Sequence, residues 1–137
     1  MHRILYISTA RSPLSRGELD AILLTSRINN ARVGVTGLLV AGAPRFLQAL
    51  EGDEASVRAT FDRIKLDSRH YAFVTLSDQK ISERAFAGWH MGYEEGGVAT
   101  LTDSLESQVN AIIAPLTDRN LRAYFAGFAK SHSSQLA

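Results

Sequence analysis

The chain has 137 residues, of which 45% are hydrophobic and 21% charged, and its formal net charge is +1. This length suits one globular domain, the composition argues against wholesale disorder, and the small net charge gives no reason to expect direct binding to nucleic acid or to an acidic membrane. The chain contains no cysteine, which excludes disulfides, thiolate metal sites, cysteine nucleophiles and photochemistry that forms a cysteine adduct.

The N-terminal part of the chain predicts a strand, a helix and a β-hairpin. Segment 3–8 (RILYIS) is rich in β-favouring residues and predicts the first strand. Ser15 and Glu18 have the spacing of a capping box, which places the start of a helix there. Segments 33–41 and 45–50 predict two strands that a short turn joins into a hairpin.

The next part predicts a second helix and two further strands. Asp53 is a candidate N-cap, and apolar residues recur at i, i+4 and i+7 from Val57. Segment 72–78 predicts a fourth strand and segment 88–93 a short fifth strand. The order βαββαβ plus a fifth strand predicts the ferredoxin-like fold of the α+β class, with both helices on one face of the sheet.

The C-terminal part predicts two helices. Asp103 or Ser104 is expected to cap a helix that ends at Ile113, and Thr117 is expected to cap the last helix. The strands are nearly continuous apolar runs, which is typical of a sheet covered on both faces, so we expect these helices to pack on the remaining face. Residues 131–137 are predicted to form a frayed tail.

Polar residues interrupt faces that are otherwise predicted to be apolar. Because the first and third strands are neighbours in the middle of a ferredoxin-like sheet, polar side chains of both strands can meet beneath the first helix. The interrupting residues are Tyr6, Ser26, Asn29, Asn30 and Gln48. A pocket of amides and hydroxyls suits a flat heteroaromatic ligand with carbonyl and N–H groups along its edges. The predicted aliphatic walls against its faces are Ile22, Leu39 and Ile64.

Three of these polar residues also have an ordinary structural explanation. Asn30 would end the helix as a left-handed cap, although that leaves Ser26 and Asn29 unexplained. Tyr6 would be a core tyrosine with a satisfied hydroxyl, and Gln48 would make a cross-strand amide bond. An amide buried without partners costs about 1–3 kcal/mol, so Gln48 needs a partner in every case.

Other functions are less well supported by the sequence. The four histidines are scattered, and neither the glycine-rich phosphate loops nor the G-x-S-x-G elbow is present. The predicted pocket has no carboxylate pair, no Ser–His couple and no thiol, so acid–base or nucleophilic catalysis is poorly equipped. The rival hypotheses are a ferredoxin-like acylphosphatase-type enzyme, with Asn30 and an arginine at a phosphate, and a small module that binds another heterocycle. The first of these is weakened because the first loop offers no arginine beyond Arg11 for an anion.

Five segments of the sequence together form a recognisable set. They are, in chain order, LYIS, NNARVGVTGLL, RFLQALEG, DSRH and FAGWHMGY. This set resembles the BLUF family, the blue-light sensors that use FAD. The resemblance covers residues 1–95 and leaves 96–137 as a C-terminal helical extension of the same compact unit. It implies a ferredoxin-like blue-light photoreceptor that binds FAD non-covalently between its two helices.

The resemblance also implies roles for individual residues. Light would drive electron and proton transfer from Tyr6 to the flavin, and a rearrangement of Gln48 would change the hydrogen bonds to the flavin. Trp89 and Met91 match fifth-strand residues of which one or the other approaches Gln48, although Trp89 is equally well explained as buried apolar mass. The implied cofactor-binding residues are Tyr6, Ile22, Ser26, Asn29, Asn30, Leu39, Gln48, Ile64, Arg69 and His70.

The remaining expectations concern the phosphates, the output and the location. Arg27, Arg32 and Arg69 are candidates for the phosphates of the cofactor, and the residues alone do not separate FAD from FMN. Residues 96–137 are too short for a cyclase or phosphodiesterase domain, so we expect no enzymatic activity, a downstream protein partner and a homodimer. The N-terminus lacks a signal-peptide pattern and no apolar run approaches about 18 residues, which predicts a cytoplasmic protein.

Overall fold

The computed structural model of the chain describes residues 1–12, 15–42, 44–89, 92–95 and 105–133. The elements within these ranges are β1 (His2–Ala10), α1 (Arg16–Val33), β2 (Thr36–Gly42), β3 (Arg45–Gly52), α2 (Glu54–Lys65), β4 (His70–Lys80), β5 (Gly92–Glu95), α3 (Leu105–Ile113) and α4 (Arg119–Ser133). Their order is the predicted one. Within the described ranges, no helix combines the length and the apolar character needed to cross a membrane.

The strands form one sheet in the order β4-β1-β3-β2-β5. β1 lies antiparallel to both β3 and β4, β2 is antiparallel to β3, and β5 runs parallel to β2. The prediction that the first and third strands are central neighbours is therefore confirmed. Their register places Tyr6 directly opposite Gln48 and Arg3 directly opposite Glu51.

Alternation along the central strands divides the core between the two faces of the sheet. On the first face, strand residues pack with α1 and α2 in a cluster of Ile4, Tyr6, Leu19, Leu23, Val35, Leu50, Val57 and Phe61. On the second face, β1, β2 and β3 pack with α3 and α4, and the buried residues include Leu5, Leu38, Val40, Leu47, Val109, Leu121, Phe125 and Phe128. The prediction that the C-terminal helices cover the remaining face of the sheet is confirmed.

Helix α1 begins as predicted but ends later. The Ser15 side chain accepts a hydrogen bond from the Glu18 backbone, and the Glu18 side chain accepts one from the Ser15 backbone, which completes the capping box. The helix continues to Val33 and is capped by Gly34, whose φ of 70° is the left-handed conformation that glycine adopts without strain. The explanation of Asn30 as the helix terminus is therefore wrong, and the predicted strand 33–41 begins only at Thr36.

Helix α4 is capped by a different residue from the one predicted. The Asp118 carboxylate accepts a hydrogen bond from the Leu121 backbone N–H at 3.0 Å, so Asp118 takes the place that was assigned to Thr117. The helix then continues through Ser133, and the first residues of the predicted tail 131–137 are helical. The candidate caps of α3, Asp103 and Ser104, and the end of the tail lie outside the described residues.

Strands β2 and β3 approach closely at Gly37. A Cβ atom at this position would lie 1.9 Å from the Ala49 carbonyl oxygen, which is part of a rigid backbone. We predict that Gly37→Ala forces the central strands apart and lowers the free energy of unfolding by about 2–3 kcal/mol, as overpacked cores do. Urea denaturation of the purified protein measures this change.

The control is the same substitution at Gly127, inside α4. A Cβ atom there meets no described atom within 4 Å, and alanine is the better helix former by about 1 kcal/mol. Gly127→Ala should therefore raise the free energy of unfolding. Equal stabilities of the two variants would show that the close approach at Gly37 does not constrain the sheet.

Candidate functional site

A cavity of about 340 Å³ is bounded by the sheet, by α1 and by α2 with the segment that follows it. Its volume lies within the range of about 300–1,000 Å³ that is usual for small-molecule sites. The lining residues are Tyr6, Ser8, Leu19, Ala21, Ile22, Leu23, Thr25, Ser26, Asn29, Asn30, Leu39, Phe46, Gln48, Thr60, Arg63, Ile64, Asp67, Arg69 and His70. This set contains all ten residues that the sequence predicted for a cofactor. Their role in binding one stays a prediction.

Helix α1 contributes polar groups because its apolar anchors lie in its first half. Leu19 and Leu23 are buried against the sheet, whereas the same side of the helix continues as Ser26, Asn29 and Asn30. Asn30 is only 1% exposed. The hydroxyl and the two amides at these positions bring hydrogen-bond donors and acceptors to a wall that the helix pattern would otherwise make apolar.

The centre of the cavity wall is a hydrogen-bonded pair from the two central strands. The Tyr6 hydroxyl donates to Gln48 Oε1, and both side chains are at most 5% exposed. The Tyr6 ring packs against Phe61 and Phe73, with ring centroids 4.8 and 5.8 Å apart. The two polar groups thus satisfy each other across the strands, as the ordinary explanations require, and they also face the cavity.

A second polar pair joins β1 to the start of β4. Ser8 Oγ lies 3.0 Å from His70 Nδ1, so the prediction that the pocket has no Ser–His couple is wrong. Burial is the main cause that lowers the pKa of His70, which keeps the ring neutral at pH 7. The Ser8 hydroxyl is completely buried, and its contact with His70 fixes the ring at one end of the cavity.

The rim of the cavity carries an ion pair. Arg69 Nε donates to Asp67 Oδ1 at 2.9 Å. This hydrogen bond is the main cause that lowers the pKa of Asp67, and the same bond raises the pKa of Arg69. Of the three arginines predicted for phosphates, Arg69 lines the cavity whereas Arg27 and Arg32 do not.

Several lining residues were missed, although their spacing carries the signal. Thr60 and Arg63 share a helical stripe with Ile64 on α2, at i, i+3 and i+4, and Asp67 lies two residues after the end of this helix. Of that stripe, only the aliphatic residue Ile64 was predicted to line the pocket. Phe46 lies two residues before Gln48 in β3 and therefore points to the same face of the sheet.

Trp89 lies away from the cavity. β5 begins at Gly92, so the prediction that Trp89 belongs to the fifth strand is wrong. Its ring packs on the second face of the sheet, with its centroid 6.3 Å from that of Phe86. This position agrees with the explanation of Trp89 as apolar mass. Met91 lies outside the described residues.

Comparison with known proteins gives one consistent family. The model of the family described as "BLUF: Sensors of blue-light using FAD" matches residues 1–92. Photoactivated adenylate cyclase subunit beta of Euglena longa is 36% identical over 114 residues, which are 82% of this chain and 12% of that protein. The chain therefore spans about an eighth of the length of this relative.

Solved structures show the same fold. The structure of Klebsiella pneumoniae BlrP1 with FMN and cyclic diGMP has a TM-score of 0.79 at 26% identity, and the match covers 95% of this chain and 35% of that one. The structure of BlsA in its photo-activated state has a TM-score of 0.70 at 26% identity, and the match covers 93% of each chain.

The buried phenol generates a prediction about ionisation. Burial raises the pKa of Tyr6 above its ordinary value of 10.0, so the folded protein keeps this phenol neutral where the unfolded chain ionises it. We predict that Tyr6→Phe leaves the ultraviolet phenolate signal of the folded protein near pH 10 unchanged. In guanidinium chloride the same variant should titrate one phenol fewer than the parent.

The raised pKa of Tyr6 also affects the free energy of unfolding at alkaline pH. Below the unfolded pKa both states hold the proton, and above it only the unfolded state releases it, so the free energy of unfolding falls as pH rises. Tyr6→Phe should remove this part of the fall. A folded Tyr6→Phe protein whose phenolate signal near pH 10 is one phenol smaller than that of the parent would contradict the assignment.

Proposed function

Because the chain belongs to the BLUF family of blue-light sensors that use FAD, we propose that the cavity between α1 and α2 holds the flavin ring and that Tyr6 and Gln48 are the photoactive pair. The observation that carries this proposal is the hydrogen bond from the Tyr6 hydroxyl to Gln48 Oε1 in the wall of the cavity. It joins a phenol, which can lose an electron and a proton, to an amide that can accept the proton.

The chemistry of the lining fits a flavin ring. The polar groups that Tyr6, Gln48 and α1 contribute to the wall are neutral amides and hydroxyls, which match a neutral ring edge that carries carbonyl and N–H groups. Ile22, Leu39 and Ile64 supply aliphatic contacts for the two faces of the ring. The carboxylate in the described lining, Asp67, is paired with Arg69. Asn30, Asn29 and Ser26 would hold one edge of the ring, and Arg69 and His70 would lie near another.

The chain's own part in the photochemistry follows from the geometry of the pair. Bound FAD would supply an oxidant that blue light activates. The raised pKa of Tyr6 keeps the phenol protonated in the dark. Loss of an electron makes a phenol acidic, and Gln48 Oε1 already accepts its hydrogen bond, so the proton has a short path to the amide. Rotation or tautomerisation of the amide would then exchange the donor and acceptor ends that Gln48 presents to the cavity.

We propose that the output of the sensor passes to a partner protein rather than through a reaction catalysed within residues 1–137. The relative in Euglena longa is named a photoactivated adenylate cyclase, which supports an effector of that general kind. Packing of α3 and α4 on the sheet supports residues 1–95 as the sensor and 96–137 as an extension in the same compact unit. A homodimer and a cytoplasmic location stay predictions.

The photocycle is the first test of this function. We predict that the protein purified with FAD is yellow and that blue light shifts its flavin absorption to the red, with recovery in the dark. Gln48→Leu and Tyr6→Phe should keep the flavin but lose the normal shift, because each removes one partner of the hydrogen bond. Absorption spectra taken before and after illumination measure the effect.

Matched controls exist on the edge strand β4. Gln79 and Tyr71 are exposed, so Gln79→Leu and Tyr71→Phe make the same chemical changes away from the cavity. Both control variants should photocycle as the parent does. A Gln48→Leu variant that shows the parent's red shift would rule out the proposed pair.

A second prediction concerns the flavin edge at Asn30. Loss of one well-formed hydrogen bond costs about 1–1.5 kcal/mol, so Asn30→Ala should weaken FAD binding about tenfold. Asn110→Ala, an exposed position on α3, is the control and should leave the affinity unchanged. Fluorescence titration of the apoprotein with FAD measures both constants. Equal affinities of the two variants would remove Asn30 from the proposed contacts.

A further inference from the structure

A buried carboxylate lies close to the proposed photoactive pair but on the other face of the sheet. Glu51 follows Gln48 by three residues in β3, so its side chain points away from the cavity, toward α3 and α4. It is 0% exposed. An ionisable side chain in such a place persists only where hydrogen bonds or opposite charges offset its desolvation.

Two hydrogen-bond donors to Glu51 lie in the loop that precedes β5. Its carboxylate accepts hydrogen bonds from the backbone N–H groups of Ala85 at 2.7 Å and Phe86 at 2.9 Å. Arg84 strengthens the same connection, because its Nη1 donates to Thr36 Oγ1 at 2.9 Å and to the Glu51 carbonyl oxygen at 3.2 Å. The loop is therefore held to β3 through both the side chain and the backbone of one residue.

A second connection runs from Glu51 to the start of α4. Arg3, which is 3% exposed, lies opposite Glu51 in the sheet and donates to its Oε2 at 3.4 Å. The second terminal nitrogen of the same guanidinium, Nη2, donates to the Asp118 carboxylate. Asp118 also accepts from the Leu121 N–H, so the carboxylate that holds Arg3 is the one that caps α4.

These contacts join three regions that are separate in sequence. β3 carries Gln48, the loop 84–89 leads toward β5, and α4 packs on the second face of the sheet. A displacement of β3 changes the geometry of charge-assisted hydrogen bonds, which depend steeply on distance and angle. Apolar contacts on the same face lack this directional sensitivity.

We propose that Glu51 is a positioning residue that carries a change at Gln48 to the loop 84–89 and, through Arg3 and Asp118, to the first turn of α4. The inference rests on the proposed photoactive role of Gln48. It assigns Glu51, Arg3 and Asp118 no contact with the flavin. The relay has two branches, one from Glu51 to the loop 84–89 and one from Glu51 through Arg3 and Asp118 to α4. Glu51 belongs to both branches, whereas Asp118 belongs only to the branch to α4.

The test compares variants that cut one or both branches. Asparagine is as good an N-cap as aspartate, so Asp118→Asn keeps the cap of α4 and removes the charge that attracts Arg3. Glu51→Gln removes the charge shared by both branches. Asp62→Asn is the control, because Asp62 pairs with Lys65 on the surface of α2 and is 71% exposed in its side chain.

The measurement is hydrogen exchange of the FAD-bound protein in the dark and under blue light, with absorption spectra taken on the same samples. In the parent and in Asp62→Asn, light should change the exchange of amides in both the loop 84–89 and α4. In Asp118→Asn, the red shift and the change in the loop should remain, while the change in α4 falls at least about fivefold. Glu51→Gln should diminish the changes in both regions.

The two readouts separate this inference from the proposed function. A parent that shows the red shift but no light-dependent exchange in α4 would overturn the relay and leave the photoreceptor intact. An Asp118→Asn protein whose α4 responds as strongly as that of the parent would also overturn it. A parent without any red shift would overturn the proposed photoactive pair and the relay together. Because the Asp118 side chain is partly exposed, we expect Asp118→Asn to fold, and this variant tests the relay even if Glu51→Gln does not fold.

Discussion

The antiparallel register between β1 and β3 is the constraint on which the rest of the structure depends. It places Tyr6 opposite Gln48 on one face of the sheet and Arg3 opposite Glu51 on the other face. The two pairs are three residues apart on each strand. Side chains alternate between faces with a period of two, so a slip of one residue would turn the phenol toward α4 and the guanidinium into the cavity. The fixed register therefore sets which face of the sheet can bind a ligand and which face packs against the C-terminal helices.

The free-energy cost of burying polar groups is offset differently on the two faces of the sheet. On the first face the central pair of the cavity wall is neutral, and Tyr6 and Gln48 satisfy each other while both border the cavity. On the second face the polar groups are charged, and Glu51 gains two backbone N–H donors in addition to Arg3. A neutral wall can exchange partners with a ligand at small cost, whereas a buried charge cannot give up its partners without a large penalty. The first face thus suits a rearrangement and the second suits its transmission as a movement of whole elements.

Local signals in the sequence predicted the order of the elements, and long-range contacts decided most of what was missed. The capping box at Ser15 was found because both of its partners lie within one turn of the chain. Ser8 and His70 are 62 positions apart in the sequence, and no local pattern predicts their hydrogen bond. The polar residues of the cavity were recognised because amides in an apolar stripe are locally anomalous. Glu51 escaped notice because a single charge near the end of a strand is commonly exposed, and only the fold shows that this one is buried.

The start of α4 combines two demands on one carboxylate. The Leu121 N–H is the main cause that lowers the pKa of Asp118, and Arg3 lowers it further, so the group is ionised at neutral pH. An ionised carboxylate at a helix N-terminus is favoured by the helix dipole, while its other oxygen is directed by the buried guanidinium. A shift of Arg3 along β1 would therefore act on the charge-assisted bond to the carboxylate that caps α4. Because Asp118 makes both contacts, a small movement of the central strands would act on the start of α4.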